Sequence, residues 1–156
     1  GNYGAQFYPT SEALKKGFQQ IIWTDADRHE YLEESGTMNI FFMINDTLIT
    51  APTNDRILDG VTRKSIVQLS KDRGIAVEER PIKVSEIVEA HKQGILQEIF
   101  GTGTAVVVLP IHSFSYREVT YRLPEENTIA KLLKNDLLGI QYNTMEDPHK
   151  WRVAVD

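Results

Sequence analysis

The sequence contains no cysteine. Disulfides, thiolate metal sites, iron–sulfur clusters and a thiol nucleophile are excluded together, and the composition fits a reducing compartment. Positive charge is not in excess either: 17 Lys and Arg stand against 22 Asp and Glu, a net charge of −5. A nucleic acid is therefore not an expected partner, because binding one needs a basic face to release counterions. Long apolar runs are missing. The longest, Ala105–Ile111 with Pro110 inside it, falls far short of the ~20 residues that span a bilayer, so no membrane partner is expected. His29, His91, His112 and His149 are scattered without ligand spacing, which argues against a metal site. No G-x-S-x-G elbow, phosphate-binding P-loop or dinucleotide fingerprint occurs. The chain opens on Gly1-Asn2-Tyr3-Gly4, with no initiator Met and no signal segment, and is read as a piece of a longer protein.

What is present is an ordinary globular balance in 156 residues, with 41% apolar and 25% charged positions, so one folded domain is expected over 1–156. Thr10 or Ser11 begins an expected helix to Lys16, stopped by Gly17, although it could begin earlier with Pro9 in its first turn. Gln20–Thr24 reads as a buried strand, Asp25–Asp27 as a turn and His29–Glu33 as a short return. Asn39–Ile44 is an apolar strand, Asn45-Asp46 a two-residue hairpin turn and Thr47–Thr50 the returning strand. Pro52–Gly60 is a loop. Val61–Arg73 has helical spacing and a Gly74 stop. A strand over Ile75–Glu79 follows, then a helix capped by Ser85 and running through His91. Leu96–Phe100 reads as helical or irregular, Gly101–Thr104 as a loop, and Ala105–Leu109 as a fully buried strand. Ser113–Leu123 alternates like a hairpin arm, and Thr128–Lys134 starts a helix that could reach Leu138. Trp151–Val155 is a last strand or a tail. Trp23 and the Phe41-Phe42 pair are expected in the core, and Glu86–Lys92 on a solvated helix face. Strands and helices alternate irregularly, which indicates a mixed α/β domain rather than one parallel sheet.

Three polar segments stand at the ends of these elements. Asp59-Gly60-Val61-Thr62-Arg63 runs into a helix, whose free amides and partial positive charge suit a phosphate; the plainer alternative is a helix start that binds water. Gly101-Thr102-Gly103-Thr104-Ala105 offers amides and hydroxyls for an anion, or is simply a tight turn. Glu33-Glu34 precedes an apolar strand. One of the two acids can face inward, where it needs a partner such as a protonated ring nitrogen; the alternative is two solvated acids.

Taken together these segments resemble a known family. Glu34-x-Gly36-x-x-Asn39-Ile40-Phe41, six residues, Leu48-x-Thr50, seven residues, then Leu58-x-Gly60-Val61-x-Arg63 is similar to the signature of class IV aminotransferases, the fold-type IV enzymes that use pyridoxal phosphate. Gly36-Thr37-Met38-Asn39, Gly60-Val61-Thr62-Arg63, Val77-Glu78-Glu79-Arg80 and Phe100–Ala105 most resemble the branched-chain amino acid aminotransferases. The resemblance runs to about Tyr142 and corresponds to the C-terminal, larger domain of that family, an α/β pseudo-barrel of mixed sheet with surrounding helices.

By position, the resemblance implies that Tyr3 donates to the cofactor's phenolic oxygen and that Glu34 pairs with its pyridinium nitrogen. It implies that Gly60, Val61 and Thr62 form the phosphate site, with the Thr104 hydroxyl added. Thr104 and Ala105 would present amides to the substrate carboxylate. The reaction it implies is amino-group exchange between leucine, isoleucine or valine and 2-oxoglutarate, in a cytoplasmic homodimer. D-amino acid aminotransferase, aminodeoxychorismate lyase and a non-catalytic phosphate-binding module remain as alternatives. The family's Schiff-base lysine would fall three residues before Gly1, and no lysine here stands in its context, so this chain by itself is expected to be inactive. The small N-terminal domain of the family has no counterpart in these residues. Val106 and Leu109 occupy the places of a Cys-x-x-Cys pair found in some members.

Overall fold

The computed structural model describes residues 4–155. A 3-10 turn at Gly4–Gln6 leads into α1 (Phe7–Lys15), then β1 (Ile22–Thr24), β2 (Leu32–Ser35), β3 (Met38–Ile44) and β4 (Thr47–Thr50). Next come α2 (Val61–Asp72), β5 (Ala76–Glu79), α3 (Val84–Lys92), β6 (Leu96–Gly103) and β7 (Val107–Ile111). A separate hairpin, β8 (Ser113–Tyr116) with β9 (Val119–Arg122), precedes α4 (Thr128–Gln141).

β3 is the hub. Every one of its residues is buried. One edge carries β6 antiparallel over Asn39–Ile44. The other edge is shared end to end by β2, at Met38 and Asn39, and by β4, at Phe41–Ile44. β4 then takes β5 in parallel. The path closes on itself just beyond β5: Leu32 N–H donates to the Ile82 carbonyl and Val84 N–H to that of Glu30, around a Tyr31–Lys83 bridge. The mixed sheet therefore curls into a small barrel-like ring, as the resemblance implied.

Alternation along β3 divides the core between two faces. Ile40 and Phe42 join Leu32, Ile49, Ile82 and Ile99 on the enclosed side, with α3 packed against them. Phe41 and Met43 join Leu48, Phe100 and the apolar stripes of α2 and α4 on the other side, where Phe41 and Phe100 stack at 5.2 Å. Removing either ring would cost about 3–5 kcal/mol. The β3–β4 turn puts Asn45 and Asp46 at φ 46° and 60°, the double left-handed turn that matches strand twist.

Several expectations are corrected. Leu96–Phe100 is neither helical nor irregular, and Gly101–Gly103 is not a loop; both belong to β6, the long partner of β3. The alternation there is hidden by two polar residues. Gln97 bulges out of register and exchanges two hydrogen bonds with Asp46. Glu98, only 4% exposed, accepts the amides of Ile129 and Ala130 and so caps α4 from across the domain. β7 begins two residues later than expected, and Leu109 on it is exposed. The return strand begins at Leu32 rather than His29, because the Asp25 carboxylate gathers the amides of Arg28, Glu30 and Tyr31 into a turn. Those donors hold the Asp25 carboxyl down at about 2.

Among the described residues, Thr10, Ser11 and Ser85 cap no helix. α1 continues the preceding 3-10 turn, and α3 starts as soon as the Tyr31–Lys83 pairing ends. Ser113–Arg122 is a complete hairpin rather than one arm, α4 runs on to Gln141, and residues 151–155 are a tail, the second of the two readings.

Glu98→Ala leaves two helix-start amides without their buried acceptor. It should lower stability by about 1–3 kcal/mol in urea unfolding, while the exposed Glu118→Ala stays within about 0.5 kcal/mol. Equal midpoints for the two variants would contradict this reading of Glu98.

Candidate functional site

The β2–β3 hairpin turns at Gly36-Thr37, which makes Ser35 face Met38 and Glu34 face Asn39. On the far edge of β3, Asn39 faces Thr102 of β6. Glu34, Asn39 and Thr102 thus form a row across three strands at one end of the sheet. The loop before α2 is drawn onto this row. Leu58 N–H donates to Glu34 Oε1 at 2.8 Å, and Asn39 Nδ2 donates to the Leu58 carbonyl at 2.8 Å and to Glu34 Oε1 at 3.3 Å. Two residues on, Gly60 lies so close to Asn39 Oδ1 that any Cβ there would collide with it. Gly60 is the residue before α2, in extended backbone.

This end of the sheet therefore holds an acid and a helix start in one piece. Among the described residues no side chain caps α2 and its first turn holds no acid, in contrast to α4, whose amides Glu98 fills. Arg63, in that first turn, is buried and turned away from solvent. Its guanidinium donates to the Ala51 carbonyl and pairs with Glu79 at 2.8 Å, which fastens the helix to the chain just after β4 and to β5. The Thr102 hydroxyl is buried and has no partner among the described residues.

The two adjacent acids have separate fates. Glu33 pairs with Arg56 at 2.8 Å. Glu34 uses only Oε1 in hydrogen bonds among the described residues, so Oε2 remains available. Burial pushes the Glu34 carboxyl above its ordinary value of 4.5; the Leu58 amide pulls it down and the neighbouring Glu33 charge pushes it up. An open cleft of ≈ 530 Å³ lies against it, bounded by Gln6, Trp23, Gly36, Arg56 and Asp59. Trp23 thus borders the cleft and is only partly buried, whereas Phe41 and Phe42 are core, as expected.

Of the residues picked out in the sequence, Glu34 and Gly60 are joined through Leu58 and Asn39. Val61 is exposed and Thr62 half-buried, as the first two residues of α2. Thr104 and Ala105 are exposed in the β6–β7 turn and do not border the cleft. That turn nonetheless sits by the β2–β3 turn, since a Cβ placed on Gly103 would lie 3.7 Å from the Thr37 carbonyl oxygen. Tyr3 lies outside the described residues. Asn39 and Arg63 were given no role of their own in the site, and Thr102 only as part of the Gly101–Ala105 segment. The spacing Glu34–Gly36–Thr37–Asn39 carried a signal for the first of them, because a two-residue turn makes positions 34 and 39 cross-strand partners.

An acid with one free oxygen beside a cleft, joined to an uncapped helix start, suits a ligand that is cationic at one end and anionic at the other. Comparison with known proteins gives the family. The family model for amino-transferase class IV matches residues 1–114. Branched-chain-amino-acid aminotransferase 2 of Bacillus subtilis is 41% identical over 157 aligned residues, covering 99% of this chain and 43% of that protein. The branched-chain amino acid aminotransferase of Escherichia coli superimposes with a TM-score of 0.79 at 26% identity, over 96% of this chain and 48% of that one. An aminotransferase from Brucella abortus, solved bound to the cofactor PLP, gives a TM-score of 0.67 at 28% identity, over 81% of this chain and 42% of that one. The chain belongs to the class IV aminotransferase family. It spans less than half the length of the curated relatives it matches.

The raised carboxyl gives a pH dependence of fixed sign. A folded-state value above the unfolded one means that Glu34's contribution is fully present below 4.5 and is lost as pH rises through the folded-state value. The stability difference between the unliganded wild type and Glu34→Gln, followed by urea unfolding, should therefore shift against the wild type as pH rises from 4.5. A shift in the opposite direction would contradict the burial of Glu34.

Proposed function

We propose that this chain is the cofactor-bearing part of a pyridoxal-phosphate aminotransferase that exchanges amino groups between branched-chain L-amino acids and 2-oxoglutarate. The observation that carries the proposal is the fixed link between Glu34 and the α2 start, with Glu34 Oε2 unengaged among the described residues. The family match and the names of the relatives support the choice of reaction and substrates.

The residues present fit the cofactor. Glu34 Oε2 would hold its protonated ring nitrogen, and a cation there would offset the burial that now favours the neutral acid. The amides of Val61 and Thr62 would hold the phosphate at the positive end of α2, where Gly60 leaves the backbone open to close approach. This arrangement lets an acidic chain bind an anion without a basic surface. The Thr104 hydroxyl would add a further donor, and the Thr104 and Ala105 amides would receive the substrate carboxylate. Tyr3, outside the described residues, is assigned to the cofactor's phenolic oxygen by resemblance alone. The bound cofactor supplies an electron sink for the pair left when the substrate's Cα proton departs.

The lysine that moves this proton would be contributed from outside the 156 residues, together with most of the side-chain pocket. The working unit would be a homodimer in the cytoplasm. Among the described residues no helix is long and apolar enough to cross a membrane.

The full-length protein should turn over leucine with 2-oxoglutarate and prefer it to D-alanine and to aminodeoxychorismate, while the 156-residue chain alone should show no turnover. Glu34→Gln in the full-length protein should lower kcat by about 10²–10³, as loss of a charge-stabilising group does. A preference for D-alanine would move the substrate class, and turnover by the isolated chain would contradict the missing-lysine account.

A further inference from the structure

We infer that Asn39 is a positioning residue for Glu34, holding the carboxylate and the start of α2 at one separation. The inference rests on the reading of Glu34 as the partner of a cofactor ring nitrogen.

Asn39 is 6% exposed on the strand at the centre of the sheet, a poor place for an amide unless its polar atoms are used. They are used in one arrangement only. Leu58 O and Glu34 Oε1 both accept, so the nitrogen of the amide must face them and the oxygen must face Gly60. Leu58 closes the circuit by donating its own N–H to the same Glu34 oxygen. Glu34 Oε1, Leu58 and Asn39 thus form a three-membered ring of hydrogen bonds. It fixes the carboxylate rotamer and leaves Oε2 as the unengaged atom among the described residues.

The same Asn39 side chain sets the approach of Gly60. Its Oδ1 occupies the space a Cβ would need, so any residue larger than glycine there would have to displace the bonded Asn39 amide. Gly60 N–H also donates to the Leu58 carbonyl, at 2.8 Å. One side chain therefore touches both halves of the proposed site, the acid and the anion-binding helix start, without itself bordering the cleft. A side chain that merely satisfied the buried Leu58 carbonyl would stabilise the fold but would have no route to the ring nitrogen.

A double-mutant cycle in the full-length protein separates these roles. Pyridoxal phosphate is titrated into the cofactor-free wild type, Asn39→Ala, Glu34→Gln and the double variant, and its dissociation constant is read from fluorescence. Asn39→Ala should weaken binding about tenfold, the size of one charge-assisted hydrogen bond. In the Glu34→Gln background the same change should weaken it clearly less, by no more than about threefold, because the part of the effect that runs through the carboxylate is already lost and only the hold on the α2 start remains. Fold-changes that multiply would overturn the inference and leave the reading of Glu34 intact. Wild-type affinity in Glu34→Gln would overturn both. Asn39→Ser, too short to reach both partners, repeats the cycle if Asn39→Ala does not fold.

Discussion

Glu34 Oε1 receives the Leu58 amide, and that contact ties a β-hairpin to a loop that would otherwise have little reason to lie against it. The loop's destination is α2, so the contact decides where the helix start points. A carboxylate half-withdrawn from water is costly unless it is bonded. Here the cost is met on one oxygen only, and the other has no partner among the described residues. The site's electrostatics follow from this asymmetry: an acid inclined to take up a proton or a cation, and a helix start that no described side chain caps.

The rest of the domain keeps those two features still. β3 is buried on both faces, so its register cannot slip without exposing Phe41 or Phe42. Its first two residues carry the hairpin with β2, and its later ones the pairing with β4 that leads to the loop. Arg63 fastens α2 to the Ala51 carbonyl and to Glu79, and Arg73 fastens the other end of α2 to Asp136 of α4 at 2.6 Å. The helix is held along its length while no described side chain caps its first amides.

Elements governed by local chemistry were readable in the sequence. Asn45-Asp46 announced its turn, Val61–Arg73 its helix with the Gly74 stop at φ 71°, and Asn39–Ile44 its strand. Elements governed by distant partners were not. Nothing near Gln97 or Glu98 in the chain says that Asp46 and the α4 amides would absorb their polarity and permit a strand. Residues His29–Tyr31 looked like the beginning of a strand because the reach of the Asp25 carboxylate is invisible in one dimension. The site was legible in part. Its acid and its helix start could be chosen by chemistry and by resemblance, but the amide that joins them shows only when Glu34 and Asn39 are seen as neighbours across a turn.

The measurement that bears most directly on the central claim is a crystal structure of the full-length protein with pyridoxal phosphate bound. The account predicts the ring nitrogen within hydrogen-bonding distance of Glu34 Oε2 and the phosphate oxygens on the amides of Val61 and Thr62. A ring nitrogen facing any other group, or a phosphate lying away from the start of α2, would contradict it.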